Sequence, residues 1–392
     1  MRIHAVGCSL IDYLYTDVSF VSPEIARLLS RSAGDGGLVP GLLVFASEFE
    51  RFTGRKTDEL LREILGEPDA VNLGGPAIVA LIHAAQLTAG SGVTARFFGE
   101  IGEDATGDTV LDIVGRTPVA VDDYRRTTGV SPYTYVLSDP RYDRGRGERM
   151  FINNIGAAWN TTYDSIPDAF YDAEIVVFGG TALVPRIHED LGLMLRRARD
   201  NGAITVVTTV YDFLNQNAHP EKPWPLGDDS AYSLIDVLIA DREEAVRISG
   251  TNSAPDAVEF FIDNGVGAVI VTQGADPSLA AAARRPFARL KPTWYPVSER
   301  VCEDLAKGVC RGGDTTGCGD NFAGGVIGSL AEQAVHGKTP DLAEAVAWGT
   351  VSGGYACYYA GGTLLESRPG EKMEAVMRLF QDYALQASGD RT

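Results

Sequence analysis

The stretch DTTGCGDNFAGGVIGSLAEQAV, residues 314–335, carries the clearest signal in the chain. Its second half is apolar and rich in small residues, which predicts a helix, and Gly317 and Gly319 stand where that helix begins. The first N–H groups of a helix have no partner within it and lie at the positive end of the helix dipole, so they stabilise an anion. Glycines let the backbone turn sharply and approach that anion closely.

A carboxylate, Asp320, belongs to the same helix start. It is a poor anion ligand but a suitable base for a hydroxyl that lies against the bound anion, as phosphoryl transfer to an alcohol requires. The alternative is that Asp320 only caps the helix and that the glycines only form a tight turn.

The string DTTGCGD, followed by NFAGG, resembles the signature of the ribokinase (PfkB) family of carbohydrate and nucleoside kinases. The resemblance implies an ATP-dependent kinase that uses Mg²⁺. It also implies that Asp320 is the catalytic base and that Gly317, Cys318 and Gly319 form the anion hole. The family usually has alanine at the position of Cys318, where only the backbone N–H is needed.

Composition excludes several other classes of function. The net charge of −19, from 34 basic and 53 acidic residues, argues against a nucleic-acid-binding surface. The chain has no apolar run of about 18 residues, so we expect no membrane span. The five cysteines are odd in number and scattered, and the first residues do not resemble a secretory signal. We therefore expect a cytoplasmic protein with a small-molecule partner.

Strand-like and helix-like segments alternate from residue 173 onward, with the strand-like strings AEIVVFGG, AITVVTTV, IDVLIA and GAVIVTQG. This alternation predicts an α/β sheet with helices on both faces and ligands at the carboxyl ends of the strands. The resemblance sharpens this to a ribokinase-like three-layer sandwich, one domain over residues 1–392, with a mostly parallel central sheet and a lid. We expect lid insertions within 13–70 and 129–155, and the family implies a homodimer through the lid.

The acceptor site is predicted from the first third of the chain. GCSLID, residues 7–12, follows the first predicted strand, and Asp12 resembles the family's aspartate that accepts hydrogen bonds from substrate hydroxyls. The glycine pair Gly74 and Gly75 is expected to approach the substrate. Where the family has an asparagine after this pair the chain has Val79, and Asn72 is the candidate replacement.

The nucleotide site is predicted from the second half of the chain. ADREEAV resembles the family's NxxE segment, with Glu244 in the place of the glutamate that organises Mg²⁺ and Asp241 where asparagine is usual. Thr272 and Gly274 match the family's nucleotide loop. A zinc site is not expected from the evenly spaced Cys302, Cys310 and Cys318, because no histidine or fourth cysteine lies nearby.

Other readings stay open at this point. The acceptor is a sugar, a sugar acid or a nucleoside, and the departures at Val79 and Asp241 also allow an inactive sensor on a kinase scaffold. A P-loop is disfavoured because the GKT at 337–339 lacks the upstream glycine.

Aromatic residues of the first insertion either stack on a nucleoside base or fill a lid core: Tyr13, Tyr15, Phe20, Phe45, Phe49 and Phe52. Arginines either meet a phosphorylated substrate or form an exposed hairpin tip: Arg126, Arg141, Arg144, Arg146 and Arg149.

Overall fold

The structure is a computed structural model that describes residues 1–32, 34–145, 147–228, 230–309, 313 and 315–389. Cys310, Asp314 and Arg146, which the sequence analysis singles out, lie outside the described residues. The strands are β1 (Arg2–Gly7), β2 (Leu10–Tyr15), β3 (Leu43–Phe45), β4 (Ala70–Gly74), β5 (Thr94–Gly102), β6 (Val119–Ala120), β7 (Tyr124–Thr127), β8 (Tyr133–Asp139), β9 (Glu148–Asn154), β10 (Ile175–Gly179), β11 (Ile204–Thr208), β12 (Val237–Asp241), β13 (Ala268–Gln273), β14 (Asp276–Ala282) and β15 (Leu290–Tyr295).

The α-helices are α1 (Pro23–Ala26), α2 (Ala46–Thr53), α3 (Thr57–Leu65), α4 (Pro76–Leu87), α5 (Ala105–Gly115), α6 (Tyr142–Gly145), α7 (Pro185–Glu189), α8 (Leu191–Asp200), α9 (Phe213–Ala218), α10 (Arg242–Ser249), α11 (Ala254–Asp263), α12 (Glu299–Ala306), α13 (Cys318–Val335), α14 (Leu342–Ala356) and α15 (Glu371–Ser388). Short 3-10 helices cover Gly156–Asn160, Tyr163–Ser165, Asp168–Tyr171, Thr181–Leu183 and Tyr232–Leu234. Among the described residues, no helix combines the length and apolarity that a membrane crossing requires.

The central sheet has the order β15-β14-β13-β12-β11-β10-β1-β5-β6, with β7 paired to β5. Its pairs are parallel from β6 to β13 and antiparallel at the β14–β15 edge. Side chains of β1 alternate between two cores, with Ile3 and Ala5 on one face and Val6 on the other. Helices α4 and α13 contribute to the first core, and α8 and α11 contribute to the second. This confirms the predicted three-layer α/β fold.

A second sheet has the order β3-β9-β8-β2-β4. Strands β3, β8 and β9 lie within the two segments predicted to hold the lid, whereas β2 begins before the first segment and β4 extends beyond it. One face of this sheet carries a separate apolar core that α2 and α3 cover. Tyr15, Phe20 and Phe49 of the first insertion are buried in this core, with at most 4% of each residue exposed. Its opposite face carries Asp12, which is directed away from that core because side chains alternate along β2.

Candidate active site

Helix α13 begins as the sequence predicts. Gly317 caps it with a backbone φ of +73°, a left-handed conformation that favours glycine. A Cβ atom on Gly317 would also lie 2.5 Å from the Cα atom of Gly362, so a side chain would push the two loops apart. The N–H of Cys318 makes a long hydrogen bond, 3.4 Å, to the carbonyl oxygen of Thr315. Among the described residues, nothing lies within 4 Å of a Cβ atom built on Gly319, so the helix surface is open at that point.

Asp320 lies in the first turn of α13. Burial raises the pKa of its carboxyl from 3.8 to about 6. Within the part of the chain that the structure describes, no group donates a hydrogen bond to this carboxylate that would offset the cost of burying it. A carboxylate with a pKa close to neutrality is well matched to a proton-accepting role.

Asp12 lies within β2 of the second sheet, with its backbone opposite Asn72 of β4. Its carboxylate packs over Gly74, where a Cβ atom would lie 2.0 Å from Oδ2 of Asp12. Gly75, with a φ of +105°, caps α4 and turns the chain into that helix. The glycine pair therefore makes room for Asp12 and for the turn after β4.

The two carboxylates of the predicted site, Asp12 and Asp320, lie near each other. Both are close enough to Cys8 that their negative charges add to burial in raising the pKa of its thiol. Asp12 belongs to the second sheet and Asp320 to a helix on the central sheet, so the neighbourhood of Cys8 is where the two parts of the fold bring their carboxylates together; we call this region the cleft.

Asn72 was predicted to contact the substrate, but it binds the chain instead. Its Nδ2 donates to the carbonyl oxygens of Ala360, at 2.9 Å, and Thr363, at 3.1 Å. These bonds use both amide hydrogens, so the side chain has no donor left for a ligand. Val79 is 1% exposed and packs against Gly362 of the same loop. We call residues 360–363 the bridging loop.

The predicted nucleotide residues meet at the carboxyl ends of β12 and β13, where Asp241 pairs in register with Thr272. Asp241 caps α10 through a 2.7 Å bond from the Glu244 N–H to its Oδ1. Gly274 follows with a φ of +62° and open space around it. The Asp241 carboxylate thus accepts a hydrogen bond from the helix that it caps. A carboxylate can only accept hydrogen bonds, whereas the asparagine usual in the family can both accept and donate them.

Glu244 is a buried carboxyl beside that cap. Burial and then the nearby charge of Asp241 raise its pKa to about 8, although the hydroxyl of Thr209 donates to it. The charge of Asp320 acts in the same direction, so Glu244 is on the same side of the cleft. The described residues hold no cluster of three or more histidine, cysteine or acidic ligands. Mg²⁺ needs no such cluster, because it commonly binds one or two carboxylates together with waters and phosphates. The residues present therefore fit that ion.

Arg149 is a site residue that the sequence analysis did not separate from its neighbours. It projects from β9 across the cleft, and its guanidinium donates a 2.8 Å hydrogen bond to Oγ1 of Thr316, one residue before the cap of α13. Its guanidinium carbon lies 5.6 Å from the centre of the Phe151 ring. Arg144 lies exposed near the tip of the hairpin, as one of the two alternatives for these arginines expects.

A polar network behind α13 was also missed. Asn321 donates from Nδ2 to the carbonyl oxygens of Gly317, at 2.8 Å, and Gly362, at 2.9 Å. Its Oδ1 accepts from Nζ of Lys372 and from the hydroxyl of Tyr359, each at 3.0 Å. Burial lowers the pKa of Lys372 to about 7. The network ties the helix start to the bridging loop, and only the Asn next to Asp320 hints at it in the sequence.

The even spacing of Cys302, Cys310 and Cys318 in the sequence does not predict which cysteines lie close together in the structure. Cys302 is exposed on α12, whereas Cys318 lies with its Sγ 3.4 Å from Sγ of Cys357 at the end of α14. The contact therefore joins two cysteines that the sequence analysis did not pair.

Comparison with solved structures agrees with this fold. The chain superposes on a probable sugar kinase from Rhizobium etli with a TM-score of 0.69 and 19% identity, covering 96% of this chain and 98% of the other. The adenosine kinase from Sinorhizobium meliloti gives a TM-score of 0.67, 19% identity, and the same coverages of 96% and 98%. A putative ribokinase II from E. coli, in complex with ATP and Mg²⁺, gives 0.64 and 14%, with coverages of 97% and 99%.

The family assignment comes from the sequence itself. The model of the pfkB family of carbohydrate kinases matches residues 69–367, which include β4, both predicted nucleotide segments and the whole of α13. This range is well over half of the 392 residues. The chain therefore belongs to the pfkB family of carbohydrate kinases and is a phosphotransferase.

Proposed function

We propose that this kinase transfers the γ-phosphoryl group of ATP to a hydroxyl, most simply a primary CH₂OH group, of a sugar or sugar derivative. The observation that carries the proposal is the position of Asp320: a half-buried carboxylate with a raised pKa in the first turn of a helix that begins at Gly317. A pure binding protein has no use for a carboxylate beside an anion site, because the two negative charges repel each other.

The roles of the residues follow from their chemistry. Asp320 accepts the proton of the attacking hydroxyl, and it is ionised above about pH 6. The N–H groups of Gly317, Cys318 and Gly319 stabilise the negative charge of the phosphoryl group in transfer. Asp12 accepts hydrogen bonds from other hydroxyls of the acceptor and orients it. Arg149 brings positive charge to this cleft in a chain whose net charge is −19.

ATP and Mg²⁺ are proposed as the phosphoryl donor and its metal. Thr272 and Gly274 would lie along the nucleotide, with Asp241 beside the phosphates. Glu244 would hold Mg²⁺ through water, and the ion would supply positive charge to the phosphates when bound. We expect Glu244→Gln to raise the Mg²⁺ concentration needed for half-maximal rate at least about tenfold. The exposed neighbour Glu243→Gln is the control, and equal Mg²⁺ requirements for the two variants would contradict this role.

A nucleoside acceptor is the alternative within the same family. Three of the six aromatic residues behind this alternative, Tyr15, Phe20 and Phe49, fill the core beneath the second sheet and are not available to stack on a base. Tyr13, Phe45 and Phe52 are half-buried. Because half of the set is used in the lid core, we favour a sugar, sugar acid or sugar phosphate. We propose a lid function for the second sheet because it carries Asp12 and Arg149 over the cleft. A homodimer through this lid remains a prediction.

The test is a coupled assay of ADP release with Mg-ATP over sugars, sugar acids, sugar phosphates and nucleosides. We expect turnover with a member of the first three classes and its loss in Asp320→Asn. Turnover with nucleosides alone would show that the acceptor is a nucleoside and not a sugar, sugar acid or sugar phosphate. Ligand-dependent thermal shifts without turnover in any class would make the protein a sensor, and the proposal would fail.

A further inference from the structure

Cys318 and Cys357 form a thiol pair at the mouth of the anion hole. Their Sγ atoms are 3.4 Å apart, which is contact distance for sulfur without a covalent bond. Cys318 is the first residue of α13, and Cys357 caps the end of α14. Both side chains are partly exposed, so a small oxidant can reach them.

The two helices hold the pair in place. A Cβ atom on Gly353 would lie 3.0 Å from the carbonyl oxygen of Cys318, so the last turn of α14 lies against the first turn of α13. Farther along, Gly325 approaches the backbone of Trp348 so closely that a Cβ atom would lie 2.6 Å from its carbonyl oxygen. Because the helices are this close, the thiols meet without any rearrangement of the fold. A disulfide has a sulfur–sulfur distance of about 2.05 Å, so the two sulfur atoms must approach by about 1.4 Å, through side-chain rotation together with a small movement of the two helix ends.

The helix ends make the two thiols unequal. Cys318 lies at the positive end of the α13 dipole, which stabilises a thiolate, whereas Cys357 lies at the negative end of the α14 dipole, which disfavours one. Cys318 is therefore the attacking sulfur and Cys357 the resolving one.

We propose that Cys318 and Cys357 are a redox-modification site, at which a peroxide forms a reversible disulfide that closes down the kinase. The Cys318 thiolate attacks one peroxide oxygen, giving a sulfenic acid and, after protonation of the leaving hydroxide, water. The Cys357 thiol then attacks the sulfenic sulfur, and a second water leaves as the disulfide forms. Overall, two thiols are oxidised to one disulfide, and one hydrogen peroxide is reduced to two waters.

The disulfide acts on the anion hole because Cys318 contributes one of its N–H groups, and this consequence rests on the proposed function. Pulling residue 318 toward α14 shifts that N–H and the first turn that carries Asp320. Displacements of about 1 Å at a reacting centre cost up to about a hundredfold in rate. We expect the oxidised protein to lose at least about fivefold in kcat and to regain it with dithiothreitol.

The experiment treats the full chain with graded hydrogen peroxide, blocks remaining thiols by alkylation, and maps cross-linked peptides by mass spectrometry without reduction. We expect a peptide joining residues 318 and 357, absent in Cys357→Ser and retained in the control Cys302→Ser. Wild type and Cys302→Ser should regain activity with dithiothreitol in step with loss of the cross-link. This readout does not require kinase activity, so it is separate from a failure of the proposed function.

Three results would overturn the proposal. The first is oxidation of Cys302 at peroxide concentrations that leave residues 318 and 357 unlinked. The second is linkage of Cys318 to any other cysteine. The third is complete cross-linking with unchanged kcat, which would show that the disulfide does not regulate the kinase. Phenylarsine oxide, which binds paired thiols, supplies an independent check: it should label wild type once and Cys357→Ser not at all, and equal labelling would count against the pair.

Discussion

Replacing Asp320 with asparagine should inactivate the enzyme and stabilise the fold at the same time. The substitution keeps the size of the side chain but removes both the base and a buried charge. Removing a general base typically costs about 10²–10⁴-fold in kcat. The gain in stability follows from the raised pKa of the Asp320 carboxyl. The carboxyl binds its proton more tightly in the folded protein than in the unfolded chain, so the ionised form destabilises the fold, and asparagine removes that charge.

The size of that gain depends on pH. The folded pKa of about 6 exceeds the ordinary value of 3.8, so the unfolded chain releases this proton first and the fold loses stability as pH rises from about 4 to 6. Above pH 6 the deficit is constant at about 3 kcal/mol, from about 1.4 kcal/mol per unit of pKa. Asp320 is partly open to the cleft, and solvent there reduces the deficit, so we expect a gain of about 1–3 kcal/mol at pH 8 and about half of it at pH 5.

Urea denaturation of wild type and Asp320→Asn at pH 5 and pH 8 measures this difference in the free energy of unfolding. Glu259→Gln, at an exposed carboxylate of α11, is the matched control for exchanging a carboxylate for an amide. The acid limb of kcat/KM for wild type should have its midpoint near pH 6. An asparagine variant that is no more stable at pH 8, or whose gain does not shrink at pH 5, would refute the buried charge. A loss of less than about tenfold in kcat would refute the base.

Three further substitutions test the walls of the cleft. Lys372→Met should lower kcat, because the asparagine that orders the anion hole loses a partner. It should also abolish a rise in the wild-type free energy of unfolding between pH 7 and 10.5, where the unfolded lysine holds a proton that the folded one has released. At about 1.4 kcal/mol per unit of pKa this rise amounts to at most about 5 kcal/mol. The same rise in both proteins would contradict this. Arg149→Met should lower kcat/KM for ATP about 10–100-fold, and Arg149→Lys should have a value between those of the wild type and Arg149→Met. The control Arg144→Met, at an exposed arginine, should have the steady-state kinetics of the wild type. Gly74→Ala should raise the KM for the acceptor about tenfold or more, because the new methyl group displaces the Asp12 carboxylate that packs over Gly74. Gly115→Ala, where a Cβ atom meets nothing within 4 Å among the described residues, is the control and should leave the KM unchanged. Equal KM values for the two variants would contradict the packing of Asp12 over Gly74.

The parts of the fold that depend on local pattern were predictable. Alternating apolar segments predicted the parallel sheet, and glycines before an apolar, small-residue run predicted the start of α13, where Gly317 does adopt a φ of +73°. The family resemblance then supplied roles for Asp12, Asp241 and Glu244. The structure brings these residues to one cleft, and their roles stay predictions.

The parts that depend on distant contacts were not predictable from one sequence. Asn72 finds its partner 288 residues downstream, so nothing near it in the sequence reveals that its amide is already used. Arg149 bonds to Thr316, 167 residues away in the sequence. The position of Arg149 in β9 directs its side chain into the cleft, and no local pattern distinguishes it from the other arginines of this region. Lys372 meets Asn321 because α15 packs against α14 and α4, the two helices that flank α13. In each case packing of the whole chain, and not local propensity, selects the partner.

The bridging loop has a consequence for how acceptor specificity can diverge. Asn72 of β4 holds its two ends, Oγ1 of Thr363 donates to the carbonyl oxygen of Leu73, and Asn321 holds its middle from the start of α13. A mutation that moves β4 to admit a new acceptor therefore also disturbs the phosphate-binding end of the helix. Strand β9 has a tie of its own, because Arg149 bonds to Thr316 just before the same helix. New acceptor preferences should accordingly arise, in evolution or by engineering, through side chains of β8, while β4 and β9 stay under constraint from the reaction itself.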